Sequence, residues 1–248
     1  YTADIQSKKL DGISDDISGL TYNKETDTLF GVTNDPSQIV EMSKEGNILR
    51  IIPINGIADV EGIAHIGHNK YVITEESAQR IHEVKIDQNT QKISEDNLKK
   101  LKLGFGKLKN NKGLEGVEWD ASRESLFVVK EKHPMRVFEI KGFPPKKHHI
   151  FDVSVNEWIP KKSDAAHLTD LSSIFIHQPT GNILLLGEES KLIAEYDYEG
   201  NILSMLRLKQ GYHNLSNDVP QAEGLAIDKD DYIYLVSEPN LFYRFKRL

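Results

Sequence analysis

The chain has 248 residues, no cysteine, 31 basic against 38 acidic side chains and a formal charge of −7. That acid excess gives no electrostatic drive toward phosphate backbones or anionic lipid, which excludes nucleic acid as the expected partner. Without cysteine there are no thiolate metal sites and no cysteine nucleophiles, and a chain this long buries roughly 70–75% of its unfolded surface, enough for a core without disulfides.

From the N-terminus, Tyr1–Leu10 precede any repeat, and then one phrase recurs five times with a β-hairpin signal after it. The first unit carries Asp16-Ile-Ser-Gly-Leu-Thr-Tyr22, an apolar run Leu29–Thr33, and alternating strands at Gln38–Met42 and Ile48–Ile54. The second carries Asp59-Val-Glu-Gly-Ile-Ala-His65, then Tyr71–Thr74, Arg80–Ile86 and Leu98–Leu103. In the third, Gly113-Leu-Glu-Gly-Val-Glu-Trp119 is followed by Leu126–Val129, Pro134–Ile140 and His149–Val155. The fourth runs Asp170-Leu-Ser-Ser-Ile-Phe-Ile176, Ile183–Leu186, Leu192–Tyr196 and Ile202–Leu208. The fifth has Gln221-Ala-Glu-Gly-Leu-Ala-Ile227, Tyr232–Val236 and Leu241–Phe245, and the chain ends before a fourth strand.

The third residues of these phrases are 43, 54, 57 and 51 positions apart, a propeller-like spacing. Apolar periods stay near two, and glycine or proline interrupts every longer window, so long helices are not expected. The expected fold is all-β: a five-bladed β-propeller with four antiparallel strands per blade, forming a single domain over 1–248. Ala3–Lys9 is expected to complete the last blade, closing the ring and removing an exposed edge. Two β-sandwiches are the alternative, and the segment Trp119–Phe127, which runs through the middle in repeat register, disfavours it.

In each hairpin the residue before the phrase's glycine has a partner equally far beyond the turn. The expected pairs are Ser18/Asn34, Glu61/Glu75, Glu115/Glu131, Ser172/Glu188 and Glu223/Glu238. First strands line the axis of a propeller, so these residues, with Asp16, Asp59 and Asp170 two positions earlier, should meet at one mouth of the channel. Such crowded carboxylates repel unless protons or a cation compensate. Oxygen-only ligands point to Ca²⁺, with Mg²⁺ less suited because it demands a tight octahedron. The expected metal ligands are Glu61, Glu75, Glu115, Glu131, Glu188, Glu223, Glu238, Asp59 and Asp170. The first and fourth phrases carry serine in place of glutamate, which should put the ion off the axis, near blades that keep both glutamates. A purely structural role also fits: a glutamate before a glycine can accept backbone N–H bonds from the next blade. The glycines themselves read as architectural, leaving room where blades crowd the axis.

Three long loops, Gly104–Gly113, Asn156–Thr169 and Lys209–Pro220, should frame the same mouth and offer Phe105, Trp158, His167, Tyr212 and His213 as ligand contacts. His148 and His149 read as outer-strand surface residues, and the lysines of Lys99–Lys112, Lys146-Lys147 and Lys161-Lys162 as solvated faces.

The phrases Asp59-Val-Glu-Gly-Ile-Ala64, Gly113-Leu-Glu-Gly-Val-Glu-Trp119 and Ala222-Glu-Gly-Leu-Ala-Ile-Asp228, with Val236-Ser-Glu-Pro239, resemble the bacterial SdiA-regulated family over essentially the whole chain. The resemblance implies a five-bladed propeller with a calcium site, remotely related to NHL repeats, and supplies no reaction. Glu61, Glu115 and Glu223 also match the short Glu-Gly motif of gluconolactonase-like propellers, but those have six blades where this sequence yields five.

Two functions follow as expectations. The first is a calcium-binding module of the bacterial cell envelope, monomeric, with a protein, glycan or small-molecule ligand at the loop-framed mouth. The second is a metal-dependent hydrolase of the lactonase or phosphoesterase type, with Asp59, Asp170 or His167 as general base. No apolar run approaches the roughly 20 residues of a membrane span. A periplasmic or membrane-anchored location is expected, with the anchor outside this sequence, as the family's export segments imply.

Overall fold

The structure, a computed structural model, describes residues 1–104, 113–145, 152–161 and 167–248. Strand β12 (Ser125–Lys130) shows how the period-two sequence is used. Leu126 and Val128 pack into one apolar cluster with Ala64 and Val72, whereas Phe127 and Val129 pack into another with Ile174 and Leu185. Every residue of this strand is buried, because successive side chains point to opposite faces and each face meets a neighbouring blade.

The five sheets carry the repeats in order. Blade 1 holds β2 (Ile17–Asn23), β3 (Thr28–Thr33), β4 (Gln38–Met42) and β5 (Ile48–Asn55). Blade 2 holds β6 (Val60–Gly67), β7 (Lys70–Glu75), β8 (Arg80–Lys85) and β10 (Lys99–Lys102). Blade 3 is β11 (Leu114–Asp120), β12, β13 (Arg136–Lys141) and β14 (Ser154–Trp158). Blade 4 is β15 (Ser173–His177), β16 (Asn182–Gly187), β17 (Leu192–Tyr196) and β18 (Ile202–Arg207). Blade 5 is β19 (Gln221–Ile227), β20 (Ile233–Glu238), β21 (Leu241–Lys246) and the N-terminal strand β1 (Thr2–Lys9). All strands within each blade pair antiparallel, and every regular element among the described residues is a strand.

The N-terminal strand closes the ring as expected, with Thr2 opposite Lys246 and Lys9 opposite Leu241. The buried Ala3 packs into the apolar cluster shared by blades 4 and 5. Burial is divided among five clusters, each a wedge between adjacent blades, so the ring is held by its interfaces.

Two elements differ from expectation. The connection after β8 lays a two-residue strand, β9 (Ile93–Ser94), parallel to the outer edge of blade 1, with Ile54 opposite Ile93. That edge is thereby covered. The fourth strand of blade 3, expected at His149–Val155, is Ser154–Trp158. Its register is decided by Trp158, 8% exposed, which packs with Tyr196 and donates its indole N–H to the Tyr198 carbonyl at 2.7 Å. Trp158 is therefore a packing residue and not a loop contact. His148, His149, Lys146, Lys147, Lys162 and Phe105 lie outside the described residues.

The glycines before the first-strand apolar residues sit where blades crowd the axis. A Cβ on Gly62 would come within 2.5 Å of the Glu115 carbonyl oxygen, and one on Gly116 within 2.7 Å of the Ser173 Cα. Blade 4 replaces this glycine by Ser173, and the preceding Ser172 donates its hydroxyl to the Ala222 carbonyl of blade 5 at 2.7 Å.

Candidate metal site at the acidic mouth

The first-strand glutamates reach the mouth through a backbone irregularity. Pairing jumps from Val60↔Glu75 to Ile63↔Ile73 in blade 2 and from Leu114↔Lys130 to Val117↔Val128 in blade 3, which leaves Glu61-Gly62 and Glu115-Gly116 as bulged pairs. Blades 1 and 5 show the same shift at Ser18–Leu20 and Ala222–Gly224. Bulges of this kind re-aim a side chain.

The shift also rewrites the expected pairs. Backbone N–H groups of Asn34, Glu76 and Glu131 donate to the carbonyls of Asp16, Asp59 and Gly113, so the residue of blade 2 equivalent to Glu131 is Glu76. Glu75 is one position away, and a one-residue step turns a side chain to the other face of a sheet. Its carboxylate meets the fully buried His82, Oε2 to Nε2 at 2.9 Å, and Arg80 at 3.6 Å. Glu75 thus belongs to a network with His82 and Arg80 on β7 and β8, and Glu76 takes the place expected for it.

Two groups of carboxylates converge. Asp59, Glu61 and Glu76 each place an oxygen within 4.8 Å of the others, and so do Glu76, Glu115 and Glu131. Glu76 is common to both, which joins blades 2 and 3 at one off-axis location. Glu61 accepts hydrogen bonds from the Ser18 hydroxyl and from Asn34 Nδ2, the latter at 2.8 Å; Asn34 Nδ2 also lies 3.1 Å from Asp59 Oδ1. Glu76 accepts the Gly113 N–H at 2.6 Å and places a carboxylate oxygen within 4.8 Å of one on Glu115.

Burial and mutual repulsion raise these carboxyls together. Desolvation is the main cause at Glu61 and Glu76, both pushed up to about 7. Glu115 is held well above the ordinary range by burial and by Glu61 and Glu76. The Lys132 ammonium lies 3.3 Å from Glu131. Carboxylate oxygens gathered this closely are a donor set that fits a hard divalent cation.

The remaining predicted ligands lie around the same mouth without joining these groups. Glu223 is raised well above its usual range by burial, then by Glu238 and Glu188. Glu238 accepts the Gln221 side-chain amide at 2.9 Å. The Asp170 carboxylate caps a turn, accepting the N–H groups of Glu188 at 2.7 Å and Glu189 at 3.1 Å. Asp59 makes the matching contact to the Ser77 N–H at 2.8 Å while also offering an oxygen to the cluster. His167 is exposed. Tyr212 stands beside Arg207, and His213 bonds the Tyr1 and Ala3 backbones, so the Lys209–Pro220 loop clamps the N-terminal strand.

A sequence profile of the SdiA-regulated family matches residues 1–246. Among solved structures the chain is similar to a streptogramin B lyase, at 12% identity and a TM-score of 0.55, covering 96% of each chain. It is similar to a luciferin-regenerating enzyme at 11% identity and a TM-score of 0.58, covering 98% of this chain and 95% of that one. A protein of unknown function from Bacteroides thetaiotaomicron gives 10% identity and a TM-score of 0.58, over 96% of this chain and 71% of that chain. At such identities these likenesses speak for the fold alone. The match along nearly its whole length, together with the five-bladed ring, makes this chain a member of the SdiA-regulated family.

Proposed function

We propose that this chain is a calcium-binding propeller whose acidic mouth presents a binding surface to a component of the bacterial cell envelope. The observation that carries the reading is the junction at Glu76, where five carboxylates from blades 2 and 3 form two overlapping groups. Asp59, Glu61, Glu76, Glu115 and Glu131 would hold the ion. Calcium suits them because it accepts six to eight oxygens in loose geometry, and carboxylates from two blades supply such a set without the tight octahedron of magnesium.

A binding role is favoured over hydrolysis by what surrounds the cluster. Asp170 is committed to a turn, and Asp59 to Ser77 and Asn34, so neither stands free as a general base. The test is calorimetric titration of calcium and of magnesium into chelator-treated protein, with thermal melting alongside. Saturable calcium binding with a raised melting temperature is expected, and absence of both overturns the reading. Turnover of lactone, ester or phosphoester substrates that chelator abolishes would instead favour the hydrolase.

A further inference from the structure

The axial channel has a second mouth, at the far ends of the first strands, and it opens on a cavity of about 440 Å³. Tyr22, His65, Trp119, Phe175 and Ile227, one residue from each blade, line it together with Glu118. The volume falls within the range of small-molecule sites, and aromatic and apolar walls alternate with polar and charged side chains, among them Lys24, His177, Asp228 and Asp231.

Most of those polar groups are already satisfied by the protein. Gln178 bonds the Trp119 carbonyl at 2.7 Å and the Ala121 N–H at 3.2 Å; His177 Nδ1 bonds Thr180, and His65 Nε2 bonds the His68 carbonyl. Asp228 accepts the N–H groups of Asp230 and Tyr232 and the Tyr234 hydroxyl. Glu118 is different. Only 5% exposed, it accepts the Trp119 N–H through Oε1 at 2.7 Å, and its other oxygen has no partner among the described residues. Among the described residues no lysine, arginine or histidine forms an ion pair with it, and the neighbouring charge is another acid, Asp120.

We infer that this cavity binds an organic ammonium compound with an apolar, ring-bearing body, its ammonium group seated on the Glu118 carboxylate. Burying a carboxylate without a counter-ion is costly, so Glu118 alone holds its proton, and an incoming ammonium supplies the partner that lets the carboxylate form. Tyr22 and Trp119 line the same cavity, and aromatic rings attract cations through their quadrupoles. Burial pushes Glu118 up to about 8, the behaviour of a carboxyl that lacks its cation. The lysines on the rim, Lys24 and Lys229, make no ion pair with it.

Phenylpropylamine, with phenylpropanol as its uncharged twin, tests the assignment by calorimetry and by the emission of Trp119. Saturable binding of the amine is expected, weakened at least about tenfold by Glu118→Gln, while the alcohol binds wild type and variant within about twofold of each other. Should the Gln variant fail to fold, Ala121→Trp, at an exposed rim position, fills the cavity and is expected to abolish binding. No saturable binding of the amine overturns the inference, as does equal binding in the Gln variant, an alcohol as tight as the amine, or full binding after Ala121→Trp. Chelator should leave the amine titration unchanged, which keeps this site distinct from the acidic mouth.

Discussion

Burial raises carboxyl groups at both mouths of the channel, and the acidic mouth adds the repulsion of several like charges. At the acidic mouth the buried Glu76 and the half-buried Glu61 and Glu115 also repel one another; at the opposite mouth Glu118 has Asp120 as its acidic neighbour. A crowd of carboxyls asks for a multivalent ion, whereas a lone one asks for a single positive charge. The same strand, β11, carries Glu115 to one mouth and Glu118 to the other, three residues apart.

The largest disturbance of this contrast should come from Gly62→Ala, which drives a Cβ to 2.5 Å from the Glu115 carbonyl and 2.8 Å from Thr74 Oγ1. A backbone neighbour cannot yield cheaply, so we expect a loss of about 3 kcal/mol in denaturant unfolding. Calcium at about a hundredfold excess over its Kd should add about 2.7 kcal/mol of stability, read from the same unfolding curves.

The pH dependence of the calcium-free protein separates the mouths further. Glu61 and Glu76 keep their protons to about 7 in the fold and release them near 4.5 when unfolded. The native state then binds more protons than the unfolded chain between these values. Their contribution to stability is complete below that window and is lost as pH rises through it. Calcium should flatten the slope, whereas the part owed to Glu118, extending to about 8, should persist with calcium and vanish in Glu118→Gln. A slope that calcium leaves unchanged would detach the titrating groups from the ion.

Smaller effects distinguish adjacent residues. Glu76→Gln removes the carboxylate common to both groups and should weaken calcium binding about tenfold, about 1.4 kcal/mol, in a calorimetric titration. Glu75→Gln should leave calcium affinity unchanged and cost about 1 kcal/mol of stability, because it weakens the pair with buried His82. Reversed outcomes would restore Glu75 as the ligand.

That last pair marks where sequence reading stopped. Ser18, Glu61, Glu115 and Glu223 are visible as a series because each precedes a glycine that packing enforces: a Cβ on Gly19 or Gly224 would lie 2.7 Å from backbone of the adjoining blade. A bulge leaves no mark in the residue count, so symmetry about the turn places Glu75, not Glu76, opposite Glu61. Glu118 gave no signal at all. It stands within an apolar phrase, and the residues that make its surroundings a cavity come from four other blades. Trp158 misled in the opposite direction, reading as a loop aromatic when its ring fills the wedge between blades 3 and 4.

The sequence by itself determined the number of blades, the closure of the fifth by the N-terminal strand and the mouth that gathers acid. These follow from short-range periodicity and from glycines that steric crowding demands. Tertiary structure alone decided which oxygens meet, because a single bulged residue turns every later side chain to the other face of its sheet. It also decided that the far mouth is a cavity with one unpaired carboxyl oxygen, because space and partners there depend on residues far apart in the chain.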